Sequence, residues 1–347
     1  MKKSPLQLLG PLLVLLIFCG AVYLLWWKLT AKDVEDVGRR LREIVTTRPW
    51  TIVAAIALTV LNYVVLVGYD LLAVRFVGES IPLRRVALAS FTAYTCGYNF
   101  GSTFAGTSVR YRLYSAWGLP PIKILQLLVI LALTFWFGLL ALAGVVLSLA
   151  PLPMPKDLAW LPFADTRPLG IFLLVVALIY IALSAMHYGF VKVFRWRLPV
   201  PPFRLTIYQV LIASVDLLLV AGVLYCLWPA SAPASYLQVL AIYMLVFVVG
   251  VLSHVPGGYG VQEGILITIF PDDAVRANII ASWLVFRMIY YIIPLLFAAV
   301  LLGWYELRLA RRRASQSAAS PQPSGDDQKS NGESASSQPR SRLRTVE

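Results

Sequence analysis

The chain has 347 residues, 59% of them apolar and 14% charged, with a mean hydropathy of +0.75. Soluble domains run at about 45–50% apolar and about 25% charged, so these figures exclude a soluble enzyme, a disordered chain and a disulfide scaffold, and leave a polytopic membrane protein. The net charge of +13 is scattered over short loops, which favours Lys and Arg beside anionic headgroups over a nucleic-acid partner.

A bilayer core needs about 20 apolar residues per crossing helix. The first candidate is Leu6–Trp27, which ends in Trp26-Trp27-Lys28 without a small-residue cleavage site and reads as a retained helix. In Thr30–Arg48, Val34, Val37, Leu41, Ile44 and Val45 recur at helical spacing, which predicts an interfacial amphipathic helix. The second span is Trp50 to about Ala73. The stretch Val86–Val109 starts as a helix and then reads Gly97-Tyr98-Asn99-Phe100-Gly101-Ser102-Thr103-Phe104-Ala105-Gly106, a poor continuous span. Arg84 and Arg85 precede it and Arg110 and Arg112 follow, so both ends belong on the cytoplasmic side, as in a re-entrant hairpin.

Ile122–Leu149, Leu169–Phe190 and Leu205–Trp228 are clean spans. The Pro-rich connection 150–168 and the uncharged loop 229–235 suit the outside, and Lys192, Arg195, Arg197 and Arg204 mark an inside loop. Tyr236–His254 is apolar and is broken by Pro256-Gly257-Gly258-Tyr259-Gly260; the piece after it, Val261–Phe270, is too short to cross alone at about 1.5 Å per residue. The last span is about Ala274–Gly303. The expected architecture is an all-α polytopic membrane protein of about seven spans with one or two broken or re-entrant segments. The placement of these segments, one in each half, admits an inverted repeat. Residues 1–305 form the membrane domain and 306–347 a disordered polar tail, with both termini cytoplasmic and Arg311-Arg312-Arg313 as a stop-transfer anchor.

Ionisable groups inside spans are costly and point to function by default. Asp216 and Arg287 sit mid-span, Glu263 follows the second break, Asp70 lies near the end of the second span, and Arg110 and Arg112 close the first. Two readings stand for each. Asp216 and Arg287 either pair with each other or face a polar groove; Arg110 and Arg112 either anchor the interface or bind phosphate; Asp70 is either solvated at the interface or buried. Glu263 can cap a half-helix while also serving a site. Glycines let backbone N–H groups approach a ligand, as half-helix N-termini do, and guanidinium groups hold phosphate bidentately. With Asn99, Gly257 and Gly258 these parts suit a zwitterionic or aminoacylated phospholipid headgroup. His187 and His254 read as interfacial or hydrogen-bonded. Cys19, Cys96 and Cys226 form no framework, and with no P-loop, His/Cys cluster or HExxH pattern, no metal, cofactor or catalytic chemistry is expected.

The run Ala93-Tyr94-Thr95-Cys96-Gly97-Tyr98-Asn99-Phe100-Gly101 with Val109-Arg110-Tyr111-Arg112-Leu113-Tyr114-Ser115-Ala116-Trp117-Gly118-Leu119, and the loop Pro256-Gly257-Gly258-Tyr259-Gly260-Val261-Gln262-Glu263, resemble the two signatures of the lysylphosphatidylglycerol synthase/flippase transmembrane family. That family includes the multiple peptide resistance factor and YbhN-like inner-membrane proteins. The resemblance covers roughly residues 1–305. It implies a bacterial inner-membrane module of lipid-flippase type and carries over Arg110, Arg112 and Glu263 as motif residues. Only the polar tail follows the last span, so lipid lysylation is not expected. The expected function is phospholipid translocation. The alternatives are a non-transporting, lipid-binding scaffold of the cell envelope and, least supported, an intramembrane enzyme. A polar groove shared by the buried ionisable groups favours translocation; separate pairing favours the scaffold.

Overall fold

The computed structural model of the protein describes residues 31–101, 105–151, 165–186, 189–193 and 196–319. The expected first span Leu6–Trp27, His187, Cys19 and residues 320–347 of the expected tail lie outside them. In chain order the elements are α1 (Ala31–Thr47), α2 (Pro49–Phe76), α3 (Leu83–Phe100), α4 (Thr107–Ala116), α5 (Pro121–Leu149), α6 (Arg167–Met186), strands β1 (Gly189–Val193) and β2 (Trp196–Val200), α7 (Phe203–Leu227), α8 (Tyr236–Leu252), α9 (Val261–Ile269), α10 (Asp273–Arg287) and α11 (Ile293–Ala319). The described residues up to Leu302 form one compact unit, and those from Gly303 belong to a second.

Five helices among the described residues are long and apolar enough to cross a bilayer: α2, α5, α6, α7 and the run Asp273–Arg308 through α10 and α11. The protein is an all-α polytopic membrane protein. Two boundaries differ from the sequence reading. Helix α6 stops at Met186 instead of Phe190, and the chain enters a short antiparallel ladder with Lys192 opposite Arg197. Val191, Val193 and Val200 are β-branched, and Pro199 suits the edge of a two-stranded ribbon. At the other end α11 runs on to Ala319, past the expected helix end, where Ala and Arg hold high helix propensity.

Polarity is inverted relative to a soluble bundle. On α2 the buried stripe carries Thr59, Asn62, Tyr69 and Asp70, while Val53, Val60 and Val64 stand 60–67% exposed on the opposite face. Lipid accepts the valines at no cost, and the polar groups turn inward to find partners. The helices pack through small residues. A Cβ on Gly144 of α5 would lie 2.5 Å from the Leu174 backbone nitrogen, and one on Gly170 of α6 would lie 2.7 Å from that of Ser148, so glycine sets the α5–α6 spacing.

The pairings define a topology. Gly68 meets Ile212 and Gly222 meets Leu58, so α2 and α7 run antiparallel. Helix α4 turns back along α3: Gly106 abuts Ala93 and Gly97, Arg110 lies over the Tyr94 ring, and Arg85 at the start of α3 reaches the Trp117 ring just past α4. The chain thus reverses at this break and forms a helical hairpin, as expected there. Helix α9 likewise turns back along α8, with Gln262 against Gly250, and Phe270 after α9 returns to Trp228 at the end of α7. The two hairpins therefore enter from opposite ends of the bundle. The order span, hairpin, span occurs as α2, α3–α4, α5 and again, in the opposite sense, as α7, α8–α9, α10–α11.

Between α10 and α11 lies a π-helical turn, Met288–Ile292. Pro294 follows it and has no N–H to offer the Tyr290 carbonyl. The Tyr63 hydroxyl donates to that carbonyl at 3.1 Å, and the Asn99 amide donates to the Tyr291 carbonyl at 3.2 Å. Side chains from α2 and α3 thus satisfy the backbone that the turn releases.

Candidate functional site

A cavity of about 530 Å³ lies between the tips of the two hairpins, within the about 300–1,000 Å³ usual for small-molecule sites. The first hairpin lines it with Gly97, Tyr98, Gly101, Thr107 and Arg110, the second with His254, Gly257, Gly258 and Gln262, and α5 adds an apolar wall. Its base is polar, formed by the buried Asp216 and Tyr69 with the half-buried Tyr94. Its rim includes Trp136, Leu252 and Val255, apolar side chains that stand exposed where lipid would lie.

Each break has a backbone cause. Gly101 ends α3 at φ +100, and Gly257, Gly258 and Gly260 have φ of +64, +63 and +82, a region that side-chain-bearing residues rarely adopt. A Cβ on Gly257 would also lie 2.9 Å from the Asn99 carbonyl, so the two tips touch. In the first turn of α9, Glu263 Oε2 accepts the Gly260 N–H at 2.8 Å.

The buried ionisable groups form three centres. Arg110 makes a bidentate bond to Asp70, Nε to Oδ1 and Nη2 to Oδ2, both at 3.0 Å; the Tyr114 hydroxyl donates to the same carboxylate at 3.0 Å. The guanidinium sits 4.3 Å from the Tyr94 ring centre. Asp70 is wholly buried and Arg110 7% exposed, so neither is the solvated interfacial group that the sequence also allowed. The second centre is Arg287. It pairs with Glu263 at 3.1 Å, donates to the Gln262 amide oxygen and to the Gly258 carbonyl, and lies 4.2 Å from the Tyr259 ring centre.

The third centre is Asp216. Asn62 Nδ2 donates to its Oδ1 at 2.7 Å and to its backbone carbonyl at 3.0 Å, and the Tyr69 hydroxyl donates to its Oδ2 at 2.8 Å. Tyr290 in turn donates to Asn62 Oδ1. Among the described residues no cation lies within ion-pair distance of Asp216. The direct Asp216–Arg287 pair that the sequence allowed does not form, because the second hairpin brings Glu263 to Arg287 while α2 brings donors to Asp216.

Of the residues named from sequence, Arg110, Asp216, Gly257 and Gly258 line the cavity. Glu263 and Arg287 stand behind the Gln262 wall. Asn99 braces the π turn, and Arg112, half-buried, is not part of the lining. Asn62, Tyr69, Tyr94, Gln262 and Tyr290 were not anticipated. A stripe at helical spacing, Thr59, Asn62, Leu66, Tyr69, Asp70 and Ala73, was the available signal for two of them. His254 is exposed, and its ring nitrogen bonds the Leu252 carbonyl at 2.8 Å. Among the described residues no three His, Cys, Asp or Glu side chains gather as a metal site would require.

No family model matches the chain. The chain is similar to the uncharacterized protein slr0712 of Synechocystis, 34% identical over 82% of this chain and 88% of that protein. It is similar to the inner membrane protein YbhN of Escherichia coli, 29% identical over 90% of this chain and 97% of that protein. A further match is to the phosphatidylglycerol lysyltransferase of Staphylococcus aureus (strain MRSA252), 24% identical over 69% of this chain but only 28% of that enzyme. Near full-length likeness to the first two, on a fold with both signature motifs at chain breaks, means that the chain belongs to the YbhN-like lysylphosphatidylglycerol synthase/flippase transmembrane family.

Proposed function

We propose that this protein is a phospholipid translocase of flippase type in the bacterial inner membrane, with both termini cytoplasmic. The observation that carries the reading is the polarity of the cavity: a buried base with Asp216 and Arg110, and a rim of exposed apolar side chains facing the lipid. A phospholipid has the same division, with the headgroup for the base and the acyl chains for the rim. Two hairpins that enter from opposite ends and touch at their tips form a thin barrier, and loosening that contact on either side opens the cavity to one leaflet or the other. The proposed movement makes and breaks no covalent bond. The Asp216 carboxylate suits the amine of a zwitterionic or aminoacylated headgroup, and the Gly-rich tips offer backbone N–H groups to its phosphate. The likeness to an enzyme named for phosphatidylglycerol supports a phospholipid as the occupant.

The test is a reconstituted-vesicle assay in which a fluorescent phospholipid crosses between leaflets. An Arg110→Ala/Glu263→Gln double variant, folded and inserted, is expected to lose most of the wild-type rate. Equal rates would remove the groove from the mechanism. A second reading, a lipid-binding scaffold that moves nothing, is favoured by one observation: Asp70–Arg110 and Glu263–Arg287 each close on themselves instead of sharing one centre. Wild-type vesicles with no flipping above protein-free vesicles, yet with lipid retained through purification, would select it.

A further inference from the structure

We infer that Asp216 is a proton-binding site and that lipid movement through the cavity is coupled to protons. The translocase part of this inference rests on the function proposed above; the proton site does not. The geometry around the carboxyl carries it. Asp216 lies at the base of the cavity, in contact with the space water or a headgroup would fill, yet it is 4% exposed and has no cation partner among the described residues. Among the described residues the other buried carboxylate is paired, Asp70 with Arg110, and the half-buried Glu263 has Arg287. A carboxylate without a countercharge in a low-dielectric site is the one whose charge a proton removes at least cost.

The two donors to Asp216 differ in kind. Asn62 Nδ2 faces the Oδ1 atom and the Asp216 backbone carbonyl together. A backbone carbonyl cannot donate, so the amide orientation is fixed, and this side of the carboxyl cannot carry the proton. The other donor is the Tyr69 hydroxyl, a rotor that can donate or accept, and Tyr69 also lines the cavity. A hydronium ion in the cavity can therefore deliver its proton to Oδ2 and leave as water. The new O–H then donates to the Tyr69 oxygen, and the Tyr69 hydroxyl hydrogen turns away from the carboxyl. The charge at the base of the cavity changes from −1 to 0 with one hydrogen bond inverted and none lost, so the same frame holds both states.

The groups facing Asp216 are tyrosines and one neutralised arginine. Helix α2 presents Asn62, Tyr63 and Tyr69; α3 presents Tyr94 and Tyr98; the π turn presents Tyr290, and α8 presents Tyr243. Arg110 on α4 shares the cavity with its charge balanced by Asp70, α5 contributes only apolar lining, the α9 residue nearest the cavity is Gln262, and His254 stands exposed among the rim residues. Asp216 is thus the group on this frame whose titration would change the charge of the base.

Two readouts separate the proton site from the translocase. The first is difference infrared spectroscopy of the full chain in vesicles of phosphatidylethanolamine and phosphatidylglycerol, between about pH 9 and about pH 5.5, a range above ordinary carboxyl titration, so that solvated carboxylates stay charged. A protonated-carboxyl band is expected in the wild type, absent in Asp216→Asn and moved in frequency in Tyr69→Phe, which keeps the ring and removes the rotor. A wild type without the band, or a band unchanged in both variants, overturns the assignment. The second is the flipping rate of a fluorescent phospholipid with and without an imposed pH difference across the vesicle. The wild type is expected to respond severalfold to the gradient and Asp216→Asn not at all. A flipping wild type indifferent to the gradient overturns the coupling, whereas a normal infrared band with no flipping under any condition sinks the translocase reading alone.

Discussion

The two hairpins solve the same problem with different firmness. Each is held by an arginine between an acid and a tyrosine ring: the first carries Arg110, which meets Asp70 and Tyr94, and the second carries Glu263 and Tyr259, which meet Arg287 of α10, with nearly equal ring distances of 4.3 and 4.2 Å. In the first, Nε and Nη2 of Arg110 are both engaged by one wholly buried carboxylate, and Tyr114 donates a third bond to that carboxylate. In the second, the contact to Glu263 runs through a single nitrogen, Nε and Nη1 of Arg287 make no hydrogen bond among the described residues, and Glu263 is 19% exposed and partly committed to capping Gly260. A bidentate pair holds one geometry, whereas a pair joined through a single nitrogen can exchange partners. The first hairpin therefore reads as the fixed wall of the cavity and the second as the adjustable one.

The contrast is open to breaking at several points. Asp70→Asn leaves Arg110 buried without its countercharge, and a loss of about 3–5 kcal/mol is expected, measured as unfolding in mixed micelles. A loss below that of Glu263→Gln would reverse the ranking of the hairpins. Gly257→Ala forces a Cβ toward the Asn99 carbonyl at φ +64, with an expected cost of about 2 kcal/mol from the backbone conformation alone. In Gly101→Ala the added Cβ meets nothing within 4 Å, so a smaller loss of melting temperature in that variant would show that tip contact, beyond backbone strain, matters at the second break. Glu263→Gln keeps a cap and leaves Arg287 its bonds to Gln262 and Gly258, so a loss of about 1.5 kcal/mol is expected in the same micelle titration. Tyr63→Phe frees the Tyr290 carbonyl beside Pro294 and should cost about 0.6 kcal/mol. A null effect there would mean that the π turn satisfies itself.

Sequence made the breaks legible, because glycine and proline report backbone geometry directly: Gly97 to Gly106 spans the end of α3, and Pro256 to Gly260 lies between α8 and α9. The spans were legible because lipid demands long apolar runs. The partners of the buried charges were not. Depth along a span can be read from position, and by depth Asp216 and Arg287 were a plausible pair. Which face each group presents depends on helix rotation and on hairpins folding back, and this sends Asp216 to Asn62 and Arg287 to Glu263. Tyr69 and Tyr94 were hidden for another reason: tyrosine is common in membrane helices, and only contact with Asp216 or Arg110 marks these two as site residues.

The cavity is the centre of the account, and occlusion tests it most directly. Ala132 lines the cavity from α5, whereas Val60 on α2 faces outward and is 60% exposed. Leaflet-to-leaflet movement of a fluorescent phospholipid should fall to the level of protein-free vesicles in Ala132→Trp and stay at the wild-type rate in Val60→Trp. An Ala132→Trp protein that folds, inserts and moves lipid as fast as the wild type would contradict passage through this cavity.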